Sequence, residues 1–224
     1  MLKIGHRGAS GYEQGNTPSS FKKALSLGVD MIELDIRKCK TGQIIVAHDD
    51  NLGRISNAKG KISEKTFSQL RKVRTKNKER ILTLGEVLKL VNGRARLNIE
   101  MKENVSFELA KILEKHLSRG RWRNNDFIVS SFYSHDLRAF KKLMPKIKTA
   151  LIVARADYKS LQLAKEIKAS AIVAEHKHLP RDFVAKAHAL KLRVFAFTPN
   201  SKKQIDKLKS IGVDGIISGF PDRI

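Results

Sequence analysis

The chain has 224 residues, 41% of them hydrophobic and 30% charged, enough apolar content for one buried core and a single domain over 1–224. No run of about 18 apolar residues occurs, so no membrane-spanning helix is expected, and the lone Cys39 excludes an intrachain disulfide. Lysine and arginine number 45 against 22 aspartate and glutamate, a formal charge of +23 that suits an anionic membrane surface, nucleic acid or a phosphorylated substrate.

The first apolar run, 2–6, reads as a strand ending in His6-Arg7-Gly8. No basic-then-apolar leader precedes it, and with a single cysteine this points to a cytoplasmic protein. An amphipathic helix pattern at 19–27 stops at Gly28, where a helix C-terminus favours glycine. In the strand at 31–37, charged and apolar residues alternate from Glu33 onward, so Glu33 and Asp35 share one face. Thr41-Gly42-Gln43 is too short for a parallel crossover. The strand at 44–48 is therefore expected to return antiparallel, as a hairpin outside the main sheet, bringing His48 back toward the carboxylates.

From 49 to roughly 80 the rhythm breaks. The stretch is polar and lysine-rich, holds Gly53 and Gly60, and offers only a weak helix near 63–73. It reads as a small insertion. Its densest basic run, Arg71 to Arg80, contains no aromatic side chain, the usual companion of single-stranded nucleic-acid binding, so no specific nucleic-acid partner is expected. Elsewhere the lysines are spread through most of the helical patterns, as on solvated helix faces.

Beyond the insertion, helical patterns at 84–91, 107–117, 136–143, 160–167, 181–190 and 202–211 alternate with strands at 96–101, 127–131, 148–153, 171–174, 193–197 and 215–218. This repeat suits a (β/α)₈ barrel, with the 44–48 strand as the ninth and extra one. The strand at 96–101 repeats the charged alternation, with Asn98, Glu100 and Lys102 as its polar set. In a parallel sheet covered by helices, strands are usually apolar on both faces, and a charged face is costly to bury unpaired. Three carboxylates and a lysine turned inward point to a bound cation and an anionic substrate. His6 can serve as acid or base near neutrality, and the Arg7 fork can grip a phosphate oxygen.

Seven stretches carry a family resemblance. They are H-R-G-A-S-G-Y at 6–12, N-T at 16–17, G-V-D-M-I-E-L-D-I at 28–36, T-G-Q-I-I-V-A-H-D-D-N-L-G-R at 41–54, N-I-E-M-K at 98–102, S-S-F at 130–132 and G-V-D-G-I-I at 212–217. With them the chain resembles the glycerophosphodiester phosphodiesterases over essentially its whole length. The resemblance implies a (β/α)₈ barrel with a small insertion after the second histidine. It also implies metal-dependent hydrolysis of glycerophosphodiesters to an alcohol and glycerol 3-phosphate. Glu33, Asp35 and Glu100 would bind the divalent metal, His6 and His48 would form the acid/base pair, and Arg7 and Lys102 would hold the phosphate.

An all-oxygen ligand set favours Mg²⁺, Ca²⁺ or Mn²⁺ over zinc. Two other readings stand beside this one: a lysophospholipase D-like enzyme working at a membrane by hydrolysis or cyclic phosphate formation, and a catalytically weakened polyanion-binding barrel. The chain departs from the family pattern at Gln14-Gly15, where Pro-Glu is usual before Asn-Thr. It departs again at Ser218-Gly219, in place of Thr-Asp, and at Phe197, in place of a tryptophan, which alters a wall of the substrate pocket. The other histidines, His116, His135, His176, His178 and His188, are given no role.

Overall fold

The computed structural model describes residues 1–224. In chain order its elements are β1 (Leu2–His6), α1 (Pro18–Ser26), β2 (Met31–Lys38), β3 (Ile44–Val46), α2 (Leu52–Ile55), α3 (Phe67–Lys72), α4 (Leu84–Val91), β4 (Arg96–Met101), α5 (Ser106–Leu117), β5 (Phe127–Ser131), α6 (Ser134–Leu143), β6 (Lys148–Val153), α7 (Tyr158–Glu166), β7 (Ala171–Glu175), α8 (Arg181–Ala189), β8 (Arg193–Phe197), α9 (Lys202–Ser210) and β9 (Gly215–Ser218). Eight strands pair in parallel in the order β1-β9-β8-β7-β6-β5-β4-β2, and β1 pairs with β2 to close the barrel. No helix is long and apolar enough to cross a membrane.

Strand periodicity divides the core into two layers. On β2, Ile32, Leu34 and Ile36 point outward into the main core between barrel and helices, where they join Leu84, Val87 and Leu113. The alternate residues point into the barrel. There Met31 joins Ile4, Ile128, Ile152, Val173 and Phe195 to fill the lower interior. The polar residues Glu33, Asp35, Asn98 and Glu100 are buried as well. Pairing places Glu33 beside Asn98 and Asp35 beside Glu100. The upper end of the barrel is thus polar and the lower end apolar, in line with the placement of active sites at the C-terminal ends of such strands.

β3 runs antiparallel to β2, with Ile36, Arg37 and Lys38 opposite Val46, Ile45 and Ile44, as the short Thr41-Gly42-Gln43 connection requires. It is shorter than the expected 44–48. The Ala47 N–H still bonds the Asp35 carbonyl, but the chain then turns, and the His48 carbonyl accepts from Arg37 Nε at 2.8 Å. The outer edge of β3 is covered where the Val46 N–H donates to the Leu82 carbonyl.

The insertion has a small core of its own, in which Leu52, Ile62, Leu70 and Ile81 pack with Cys39, Ile45 and Ala47. Its helix is shorter than expected because Thr66 and Gln69 form a capping box that starts it at Phe67. A second helical turn, α2, arises where the Asn51 side chain caps Gly53. With few apolar contacts to lose, this part is locally sensitive: Ile62→Ala removes a fully buried side chain, a loss of about 2–5 kcal/mol. Limited proteolysis of that variant is expected to cut within 49–80 faster than in the parent while the barrel's circular dichroism persists; unchanged cleavage would show that the insertion does not depend on this core.

Candidate active site

The seven residues singled out in the sequence gather at the C-terminal end of the barrel. Glu33, Asp35 and Glu100 are 4%, 0% and 8% exposed, and one carboxylate oxygen from each lies within 4.8 Å of the others. Lys102, just past β4, reaches Asp35 Oδ1 at 3.0 Å and also contacts Glu100. Arg7 Nε lies 3.1 Å from Asp35 Oδ2. His6 Nε2 is 4.0 Å from Glu33 Oε2, and His6 Nδ1 faces Ser10 Oγ at 3.4 Å. His48, brought in by the hairpin, has Nδ1 3.4 Å from Asp49 Oδ2.

A tight turn after β1 makes this possible. Arg7 and Gly8 both take left-handed backbone, at φ 51° and 87°. A Cβ on Gly8 would come within 2.4 Å of Ser20 Oγ, so only glycine fits. The turn aims the Arg7 N–H at Glu33 Oε2, 2.9 Å away, and its carbonyl is held by Ser20 Oγ at 2.8 Å.

Two asparagines belong to the site although the sequence pattern assigned them no role. Asn16, left-handed at φ 63°, donates from Nδ2 to Asp35 Oδ2 at 2.9 Å, and so orients the carboxylate. Asn98 turns its buried Oδ1 into the same cavity with no hydrogen-bond partner. The alternation on β4 already marked Asn98 as inward; for Asn16 the only signal is a residue that tolerates a left-handed turn. Phe197 does form a wall of the catalytic cavity, facing Phe132, Ile152 and Ile217.

The electrostatics are those of a site built for a cation. Burial, with Asp35 and Glu100 beside it, pushes Glu33 well above the usual carboxylate range. Burial and then Asp35 raise Glu100 to about 7. Burial also opposes the charge on Asp35, but Lys102 and Arg7 outweigh it and hold this carboxyl low. Two side-chain cations therefore secure one of the three carboxylates and leave the other two reluctant to ionise. A divalent ion held by these hard oxygens would supply the missing charge, and with the unpartnered Asn98 oxygen nearby the residues present fit such an ion. Burial, then Arg7, lowers His6 to about 3, so its imidazole is neutral at physiological pH. Burial lowers His48 too, against the pull of Asp35 and Asp49.

The raised carboxyls give a thermal signature. Without a cation, their stabilising effect is full below the unfolded carboxylate range and is lost as pH rises through about 7, the value for Glu100. A cation binds the ionised form, so saturating Mg²⁺ or Ca²⁺ is expected to raise Tm more at about pH 8 than at about pH 5. An equal gain at both pH values would contradict this arrangement of charges.

The chain matches the family model described as "Glycerophosphoryl diester phosphodiesterase family" over residues 6–223. It is 34% identical over 237 residues to a glycerophosphodiester phosphodiesterase of Bacillus altitudinis, covering 100% of this chain and 96% of that one. A human lysophospholipase D is 30% identical over 151 residues, 59% of this chain and 48% of that protein. Among solved structures, an Oleispira antarctica phosphodiesterase in complex with the product sn-glycerol-3-phosphate superposes with a TM-score of 0.91 at 25% identity, covering 99% of this chain and 94% of that one. The barrel, its upper ring of buried carboxylates and these likenesses agree: the chain belongs to the glycerophosphoryl diester phosphodiesterase family.

Proposed function

We propose that this protein hydrolyses glycerophosphodiesters to glycerol 3-phosphate and an alcohol, with His6 as general base and His48 as general acid. The observation that carries the reading is the convergence of Glu33, Glu100, two histidines, Arg7 and Lys102 on one cavity, with the fully buried Asp35 within 4.8 Å of the other two carboxylates. Glu33, Asp35 and Glu100 would hold Mg²⁺, Ca²⁺ or Mn²⁺, which when bound offsets charge on the nonbridging phosphate oxygens. Arg7 and Lys102 add fixed positive charge on the same phosphate. Burial and Arg7 keep His6 neutral before reaction, the form that can accept a proton from the nucleophile, either water or the substrate's neighbouring hydroxyl. Asp49, 3.4 Å from His48 Nδ1, favours the imidazolium, the form able to protonate a departing alkoxide, against the burial that lowers this histidine overall. Each proton transfer contributes on the order of 10²–10⁴ in rate. The free thiol of Cys39, buried in the insertion core, suits a reducing cytoplasm.

The test combines chelation with substitution. Turnover is expected to vanish on exhaustive chelation and to return with Mg²⁺, Ca²⁺ or Mn²⁺. His48→Ala should lose far more rate on ordinary alcohol leaving groups than on an activated phenol, which departs without protonation; His6→Ala should slow both. Small and equal losses in the two variants on both substrates would leave the polyanion-binding reading in its place.

One observation favours membrane-borne substrates as a second reading. The strongly exposed aromatic side chains, from Phe132 at 44% to Tyr158 at 67%, come from separate segments: Tyr12, Phe107, Phe132, Tyr133 and Tyr158. Each segment follows the C-terminal end of a barrel strand. The sequence holds no aromatic docking stretch, yet the fold gathers these rings at the active-site end, the end from which the basic insertion also arises. Aromatic rings and lysines together suit the headgroup region of an anionic bilayer. Sedimentation with phosphatidylglycerol vesicles, weakened by salt and by the Phe107→Ser/Tyr133→Ser pair, is expected under this reading; indifference to vesicle charge would remove it.

A further inference from the structure

Two cavities meet at Arg7 and His48, which line both. The smaller, about 120 Å³, is the barrel mouth itself, with charged and amide groups on one side and Phe132, Ile152 and Phe197 on the other. The larger, about 550 Å³, lies between the β1–α1 turn and the insertion, with Gln14, Gly15 and Thr17 on one wall and Asp49, Arg54 and Lys76 on the other. A phosphodiester gripped at this junction has two arms, and they diverge into two unlike spaces. Glycerol, with three carbons and two free hydroxyls, suits the small half-apolar mouth. The other arm, the leaving alcohol, then lies in the groove, with His48 at its entrance.

We infer that this groove is the leaving-alcohol subsite, and that it takes alcohols bearing a further anionic group, such as a second phosphate, in preference to quaternary ammonium alcohols. The inference rests on the phosphodiesterase reading above. Three features carry it.

The first is room. Gly15 does not adopt left-handed backbone, so the chain path does not demand glycine there. A Cβ at this position would lie 3.0 Å from Arg7 Cβ and 3.2 Å from Ser10 Cβ. What the absent side chain provides is an open junction between mouth and groove. The second feature is rigidity. Gln14 spans from the turn to the insertion: its Nε2 donates to the Ile55 carbonyl at 2.7 Å, and its Oε1 accepts from the Asn77 N–H at 3.2 Å. The groove's two walls are thereby tied together before any ligand arrives.

The third feature is charge. Residues 49–80 hold ten lysines and arginines against four acids. Two of those acids are engaged elsewhere, Asp50 with Ser63 and Glu79 with Ser19. Asp49 faces His48 and, at 3.5 Å, Arg54, while Lys76 has no carboxylate within ion-pair distance. The groove is net positive, and none of its lining residues is phenylalanine, tyrosine or tryptophan. A quaternary ammonium is recognised by the faces of those rings, and this groove has none to offer.

The experiment compares kcat/KM of the intact, metal-loaded protein for glycerophosphoinositol 4-phosphate, glycerophosphoinositol, glycerophosphocholine and the methyl ester of glycerol phosphate. The phosphorylated headgroup is expected to exceed its unphosphorylated counterpart by about tenfold, a difference of about 1.4 kcal/mol, and to exceed choline by more. In the Arg54→Glu/Lys76→Glu variant that preference should fall to near parity, through KM. Gly15→Leu should depress the inositol substrates severalfold more than the methyl ester, whose alcohol does not need the groove. Equal kcat/KM across the headgroups, or a preference that survives charge reversal, would overturn the inference while leaving the phosphodiesterase reading standing. No turnover of any diester, the methyl ester included, would overturn both.

Discussion

The buried charge of Asp35 is what the active-site end of this barrel is arranged around. At 0% exposure, a carboxylate is tolerable only if its lost hydration is replaced. Lys102, Arg7 and the Asn16 amide replace it from three directions. These partners come from the end of β4, the turn after β1 and the start of α1. Asp35 thus adds a charged tie to segments that strand pairing and the β1–α1 turn already bring together, and it also fixes the two cations that would face the phosphate. The arrangement leaves Glu33 and Glu100 short of positive charge. That deficit is the physical basis for a metal site here, and it arises from counting charges in a closed space.

The remainder of the fold serves this constraint in an ordered way. The lower barrel is packed with Ile4, Met31, Phe195 and their neighbours, so water does not reach the carboxylates from beneath. The helices outside bury the alternate strand faces in one continuous core. Only the upper end is open, and there the loops differ in kind. The β1–α1 turn is held by backbone geometry that requires Gly8. The insertion is held by its own small core and by Gln14.

Much of this was legible in the sequence, for identifiable reasons. Strand and helix limits follow from apolar periodicity, and β1, β4, β5, β6, β8 and β9 have the expected bounds. The hairpin was legible because three residues cannot make a crossover. The inward carboxylates were legible because a charged residue inside a covered sheet violates the usual pattern. Asn98 was legible as inward from the same alternation but not in its role, and Asn16 was not legible at all, since an amide carries no charge to stand out and its part depends on what the fold brings to it. Nor was the groove, because Gly15, Gln14 and Lys76 are far apart in the chain and acquire a joint meaning only once the insertion folds back. The aromatic rim escaped for the same reason: its five members are spread over four connections, only Phe132 and Tyr133 being neighbours, and share only a side of the barrel.

The hairpin has one more consequence. His6 ends a barrel strand, whereas His48 follows β3, a three-residue strand outside the barrel from which Ile44 and Val46 join the main core while Ile45, with the following Ala47, joins the insertion's small core. The two halves of the proposed proton-transfer pair therefore rest on unlike supports, one within the barrel and one where the barrel meets the insertion. Fluctuations that open the insertion would displace His48 and leave His6, with Arg7 and Lys102, in place. If both histidines move protons as proposed, inactivation on warming is expected to precede unfolding.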